Sequence, residues 1–152
     1  FTFEKNLALL IKTADCLPVI LVSNSHTAPI IALHAGWRGV VERIIPKAIE
    51  LFPKERFTGY IGPHIQFENF EVGKDVATQI SNSCPNATKI SKSHIDPNKL
   101  YINLARVAEL QMESNGSRCG YTSSIDTLTN LNYPSYRRDA KKERMWTFVA
   151  KI

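Results

Sequence analysis

No stretch of this sequence stays apolar for long. The longest runs, such as residues 17–22 (LPVILV), fall far short of the roughly 20 residues that a membrane-spanning helix needs. No basic n-region, apolar core and cleavage site precede them. A soluble cytoplasmic chain with no membrane partner is therefore expected. Cysteine is scarce and unpatterned: Cys16, Cys84 and Cys119 are odd in number and show no CxxC spacing, which argues against a disulfide scaffold and fits a reducing compartment. Repeats, linkers and low-complexity tracts are missing, so residues 1–152 are expected to form one domain. An initiator methionine is missing too, because Phe1-Thr2-Phe3 enters an element almost at once; sequence upstream of Phe1 is expected. The formal charge is +5, but the basic residues are scattered apart from the knots YRRDAKKER and FPKER, and no nucleic-acid-binding signature accompanies them. That excess reads as a solvated basic face or as attraction for an anionic small molecule.

What is present suits a globular core: 43% of the residues are hydrophobic and 22% charged, an ordinary soluble composition. Residues 6–13 (NLALLIKT), 17–23 (LPVILVS) and 29–34 are rich in Leu, Ile and Val between polar boundaries, and are predicted as strands, with Asp15-Cys16 as the hinge between the first two. Gly36 and Gly39 bracket a predicted turn. From Val40, the residues Val41, Ile44, Ile45, Ala48, Ile49 and Phe52 recur at helical spacing, with a kink or restart expected at Pro46. Residues 57–65 (FTGYIGPHI) read as a short strand ending at Gly62-Pro63, and 71–84 as an amphipathic helix. Residues 84–99 form a polar connector with two prolines. A helix is predicted within 100–116, its stripe made by Leu104, Val107, Ala108 and Gln111-Met112 and its stop by Asn115-Gly116. Residues 144–152 (RMWTFVAKI) close the domain as an extended segment. The pattern predicts an α+β fold, with mixed sheet layers flanked by helices.

Chemistry concentrates at strand ends. Cys16 and His34 each end a predicted strand, and two such ends can meet; a thiolate beside an imidazole makes either a nucleophile with its base or two zinc ligands. Spacing alone equally allows an inert buried cysteine and a histidine satisfied by a backbone carbonyl. In HAGWRG (residues 34–39) the glycines allow close backbone approach, and Arg38 brings a planar fork suited to phosphate or carboxylate. The helical pattern that follows places this turn at a helix N-terminus, which favours anions. Trp37 reads as a core anchor. Gly62-Pro63-His64 is a second strand-end turn with a histidine, and SYRRD (135–139) a second arginine pair, each weak alone.

Taken in order, TADCLPV, HAGWRG, IGPHIQFENFEVG and SYRRD resemble the laccase-domain family, whose members are known as polyphenol oxidases or as purine nucleoside phosphorylases. The resemblance runs from about Leu7 to Ile152. It implies an α/β fold whose site binds zinc through one cysteine and two histidines, phosphorolysis of purine nucleosides, and deamination of adenosine. Matched position by position, the cysteine of TADC is Cys16 and the histidine of HAGWRG is His34; the second histidine belongs to a motif upstream of TADC. Two departures from the family pattern stand out: AKKERM replaces a glycine-rich stretch after SYRRD, and Tyr133-Pro134 stands where aromatic pairs are usual. Zinc held by three protein ligands keeps an open position and can lower the pKa of bound water to about 7, which suits deamination at purine C6. Phosphorolysis needs an anion site instead. Arg38 and one of Arg137 or Arg138 are the candidates for it. Asp15 is a candidate to orient a ligand, to accept a ribose hydroxyl or simply to cap its turn, and His64 to bind substrate or substitute for the missing ligand.

The resemblance therefore implies a zinc enzyme with purine nucleoside and phosphate as partners and no nucleic acid. Three other readings compete with it. Copper-dependent phenol oxidation is disfavoured by four histidines and no HxH pair, too few for a set of copper centres. A cysteine hydrolase or amidase would use Cys16 and His34 as nucleophile and base. A non-catalytic domain would merely bind a nucleotide or a partner protein.

Overall fold

The central sheet grows from the most apolar segment of the chain. In the computed structural model, which describes residues 1–84 and 90–152, β2 (Leu17–Ser23) pairs antiparallel on one side with β3 (Ile31–Ala35) and on the other with β4 (Phe57–Ile61). β8 (Arg118–Thr122) adds to β4 in parallel, giving the order β3-β2-β4-β8. The first five residues of β2 are all buried, and a strand covered on both faces has no reason to alternate. β1 (Ala8–Thr13) instead forms an antiparallel ribbon with β9 (Met145–Ala150), in the register Lys12 to Trp146. β5 (Glu71–Gly73), β7 (Lys99–Ile102) and β6 (Ser91–Ser93) make a third, three-stranded sheet. The fold is α+β with mixed pairing, as the sequence pattern predicts.

The helices show where local pattern misleads. The predicted helix from Val40 to Phe52 is two helices, α1 (Trp37–Val41) and α2 (Ile44–Glu50), and α1 starts inside HAGWRG with Gly36 as its N-cap. The predicted turn is thus a helix start. The break falls at Arg43, which adopts a left-handed conformation with φ of 59°, and not at Pro46. Pro46 occupies the first turn of α2, where backbone N–H groups have no partner within the helix, so its ring does no harm there. α3 (Lys74–Asn82) is shorter than predicted because residues 71–73 are taken by β5. α4 (Leu104–Glu113) begins where the Asn103 side chain accepts from the Arg106 N–H; it ends before Gly116, whose φ is 70°. Its inner face, including Leu104, Val107, Ala108 and Met112, packs into the core cluster with Leu17, Val19, Leu21 and Ile61. The predicted connector 84–99 contains β6; residues 85–89 of it lie outside the described residues. A last short helix, α5 (Tyr136–Asp139), covers most of SYRRD.

Candidate functional site

Register places the two metal-type side chains together. In the β2–β3 pairing Leu17 faces Ala35 and Pro18 faces His34, so one further step puts Cys16 opposite Gly36. Cys16 and His34 are then diagonal neighbours on one face of the hairpin. Gly36 is needed for this approach, since a Cβ added there would stand 3.0 Å from the Cys16 sulfur. Both side chains line one cleft of about 370 Å³, whose walls include Trp37, Arg38, Phe70, Tyr136, Arg137 and Arg144.

Charge in this cleft is unequal, with Arg38, Arg137 and Arg144 against Asp15. Burial pushes the Cys16 thiol up, the neighbouring Asp15 carboxylate adds to the rise, and the Arg144 guanidinium opposes it. Burial also lowers the His34 imidazole, and Arg144 lowers it further. The resting pair is therefore a protonated thiol beside a neutral imidazole, and the latter is the form that can accept a proton or bind a metal.

Asp15 is committed to the fold. Its backbone is left-handed, with a φ of 80°. The Thr127 hydroxyl donates to Oδ1 at 2.7 Å and the Arg137 N–H donates to Oδ2 at 2.7 Å. Ser135 Oγ accepts from the Arg138 N–H at 3.1 Å, so Ser135 and Asp15 together cap α5. Asp15 thereby ties TADC to SYRRD, and the capping role is the one its geometry displays.

Two further candidates lie outside the cleft. His64 is 2% exposed: its Nδ1 bonds the Gly62 carbonyl at 2.8 Å and its Nε2 meets the Gln66 amide at 3.2 Å. Both ring nitrogens of His64 are thus engaged within these loops, and the structure does not bring it into the cleft wall with Cys16 and His34. Arg138 donates to the carbonyls of Thr127 (2.9 Å), Leu128 (3.0 Å) and Tyr133 (2.8 Å) and pairs with Asp139. It clamps the loop before α5 and is absent from the cleft wall, whereas Arg137 is part of that wall. Arg137 lies over the Phe70 ring and donates to the Glu71 carbonyl at 3.0 Å. Arg38 lies over Trp37, 4.5 Å from the ring centroid. With only five residues in α1, little helix dipole assists it.

Phe70, Tyr136 and Arg144 line the cleft without standing out in the sequence, and of these Arg144 brings a charge. Its signal lay in the knot YRRDAKKER, which reads as a solvated basic face when no partner is in view. Among the described residues no group of three His, Cys, Asp or Glu side chains is placed to hold a metal ion, so Cys16 and His34 stand as a pair. No helix among them is long and apolar enough to cross a membrane.

The family described as multi-copper polyphenol oxidoreductase laccase matches residues 1–151, and this chain belongs to it. A purine nucleoside phosphorylase of Aquifex aeolicus is 31% identical over 148 residues, covering 95% of this chain and 66% of that protein. The purine nucleoside phosphorylase YfiH of Escherichia coli is 33% identical over 146 residues, covering 91% and 57%. This chain thus spans between half and two thirds of the length of these curated relatives. A crystal structure of a Neisseria meningitidis protein superposes with a TM-score of 0.84 at 31% identity, over 95% of this chain and 61% of that one. The Bacillus licheniformis hypothetical protein YfiH shares the fold, with a TM-score of 0.89 at 24% identity over 99% of this chain and 60% of that one.

Proposed function

We propose that the cleft is the purine-nucleoside and phosphate site of a zinc-dependent phosphorylase, with adenosine deamination as a second activity. The observation that carries this reading is the meeting in one cleft of a Cys–His pair, aromatic walls and three arginines; the names of the relatives point the same way. The donors fit zinc by type: a sulfur that binding would deprotonate and an imidazole already neutral. Cys16 and His34 would hold the ion, and a third protein ligand would come from outside the described residues; two donors alone would hold it weakly. Zinc bound there would supply Lewis acidity. Trp37, Phe70 and Tyr136 supply aromatic surface in the cleft wall against which a purine would pack. The guanidiniums of the cleft wall draw phosphate toward the ribose, where positive charge develops as the glycosidic bond opens.

The cysteine-hydrolase reading is weakened by the raised Cys16 pKa, since the thiol and not the nucleophilic thiolate is favoured at rest. A panel of purine nucleosides with and without inorganic phosphate, run alongside metal analysis, tests the proposal. Phosphate-dependent release of free base by a zinc-containing protein is expected. Copper with a near-ultraviolet band would point to phenol oxidation instead, metal-free protein with an alkylatable Cys16 to a hydrolase, and nucleoside binding without turnover to a non-catalytic domain.

A further inference from the structure

The arginines of the cleft are not equivalent, and their anchoring tells them apart. Arg144 Nη1 donates to the carbonyls of Lys141 at 2.9 Å and Glu143 at 2.7 Å. Both Nη1 hydrogens are thus spent on backbone, which orients the guanidinium plane and leaves the Nε–Nη2 edge as its remaining two-pronged donor face. The side chain also lies 5.8 Å from the Tyr136 ring centroid. Arg137 is anchored similarly, through Nη1 to the Glu71 carbonyl. Arg38 has no backbone anchor among the described residues and lies over Trp37. No carboxylate among the described residues pairs with any of the three, and Asp15, the carboxylate in the cleft wall, has both oxygens occupied. Three guanidiniums against the one carboxylate of Asp15 leave the cleft wall with an excess of positive charge, which is the electrostatic footprint of an anion site.

We propose that Arg144, with Arg137, forms a subsite for a tetrahedral oxyanion beside Cys16 and His34, either inorganic phosphate or the phosphate group of a nucleotide, and that Arg38 is not its principal holder. This deepens the phosphorylase reading and rests on it for the identity of the co-substrate alone. The pre-oriented fork loses little freedom when an oxyanion docks, whereas Arg38 must be ordered first. Arg144 lines the same cleft wall as Cys16 and His34.

The test is calorimetric titration of the purified protein with inorganic phosphate, with adenosine and with adenosine monophosphate. Wild type is compared with Arg144→Gln, Arg144→Lys and Arg38→Gln, and with Lys47→Gln as a surface control. Arg144→Gln should weaken phosphate binding by about tenfold or more, the range expected for loss of a charge-assisted bidentate contact. Arg144→Lys should fall in between, because it keeps the charge and loses the fork. Arg38→Gln should change phosphate affinity less than about threefold, and adenosine should bind all variants of Arg144 as it binds wild type. If adenosine monophosphate depends on Arg144 while inorganic phosphate binds no form of the protein, the oxyanion subsite stands and the phosphorylase reading falls. If adenosine fails to bind but phosphate depends on Arg144, the outcome is the same. The proposal is overturned if wild type binds neither oxyanion, or if folded Arg144→Gln binds both like wild type; should Arg144→Gln not fold, an Arg144→Lys protein with unchanged phosphate affinity overturns it equally.

Discussion

Replacing Asp15 by alanine should destabilise the protein by about 3 to 4 kcal/mol, although the residue faces a cleft where a substrate-binding carboxylate would be at home. Two bonds to the carboxylate vanish, from the Thr127 hydroxyl and from the Arg137 N–H, both at 2.7 Å. Hydrogen bonds to a charged group contribute about 1.5 to 3 kcal/mol each, and partial exposure favours the lower end, so the pair accounts for about 3 kcal/mol. Alanine must also hold a φ of 80°, a left-handed conformation that costs it roughly another 1 kcal/mol. Asp15→Gly relieves the backbone while losing both bonds, so about 2 to 3 kcal/mol is expected. Asp15→Asn tolerates the conformation and can keep both contacts, since the hydroxyl of Thr127 can accept from the new amide; its cost should be about 1 kcal/mol. For a chain of this size 1 kcal/mol moves Tm by about 2 to 4 °C, which puts the alanine variant on the order of 10 °C below wild type in a thermal melt. If alanine costs less than about 1 kcal/mol, or if asparagine is as damaging as alanine, the capping account of Asp15 is wrong.

Other expectations follow from single contacts. Cys16→Ser should lower bound zinc well below its wild-type stoichiometry by metal analysis, because the hydroxyl is a far poorer zinc donor than a thiolate; unchanged zinc content would remove Cys16 from the ligand set. Gly59→Ala would put a Cβ 2.3 Å from the sulfur of Met112, a side chain with no exposed surface, so overpacking of about 1 to 3 kcal/mol is expected; pairing it with Met112→Val should restore part of the loss in urea denaturation. Burial holds the His64 pKa below its ordinary 6.5, so the unfolded chain binds the proton more readily than the folded one. The contribution of neutral His64 to stability is full above about pH 6.5 and is lost as pH falls through its lowered folded value. Urea midpoints measured across that range should drop more steeply for wild type than for His64→Gln, and parallel profiles would contradict this.

Features whose cause is local can be read from the residues alone. β2 is legible because its apolar run is short and bounded, and α4 because its stripe repeats at helical spacing between an asparagine cap and a glycine stop. Cys16 and His34 are legible because each terminates such an element. The tertiary structure alone decided the rest. β8 (RCGYT) carries no apolar alternation, and it is a strand only because β4 offers it a parallel edge from about 60 residues away. Residues 71–73 and 99–102 pair as β5 and β7 for a similar reason, each too short to announce itself. The fates of the polar residues were the least legible. Asp15 is 122 positions from the N–H it caps, and Arg144 reads as surface charge until β9 returns beside β1 and brings it to the cleft. An apolar residue reports its burial through the pattern of its neighbours, because solvent exclusion acts on whole faces of helices and strands. A polar side chain takes its role from the one donor or acceptor it meets, and that partner is chosen only when distant segments are packed together.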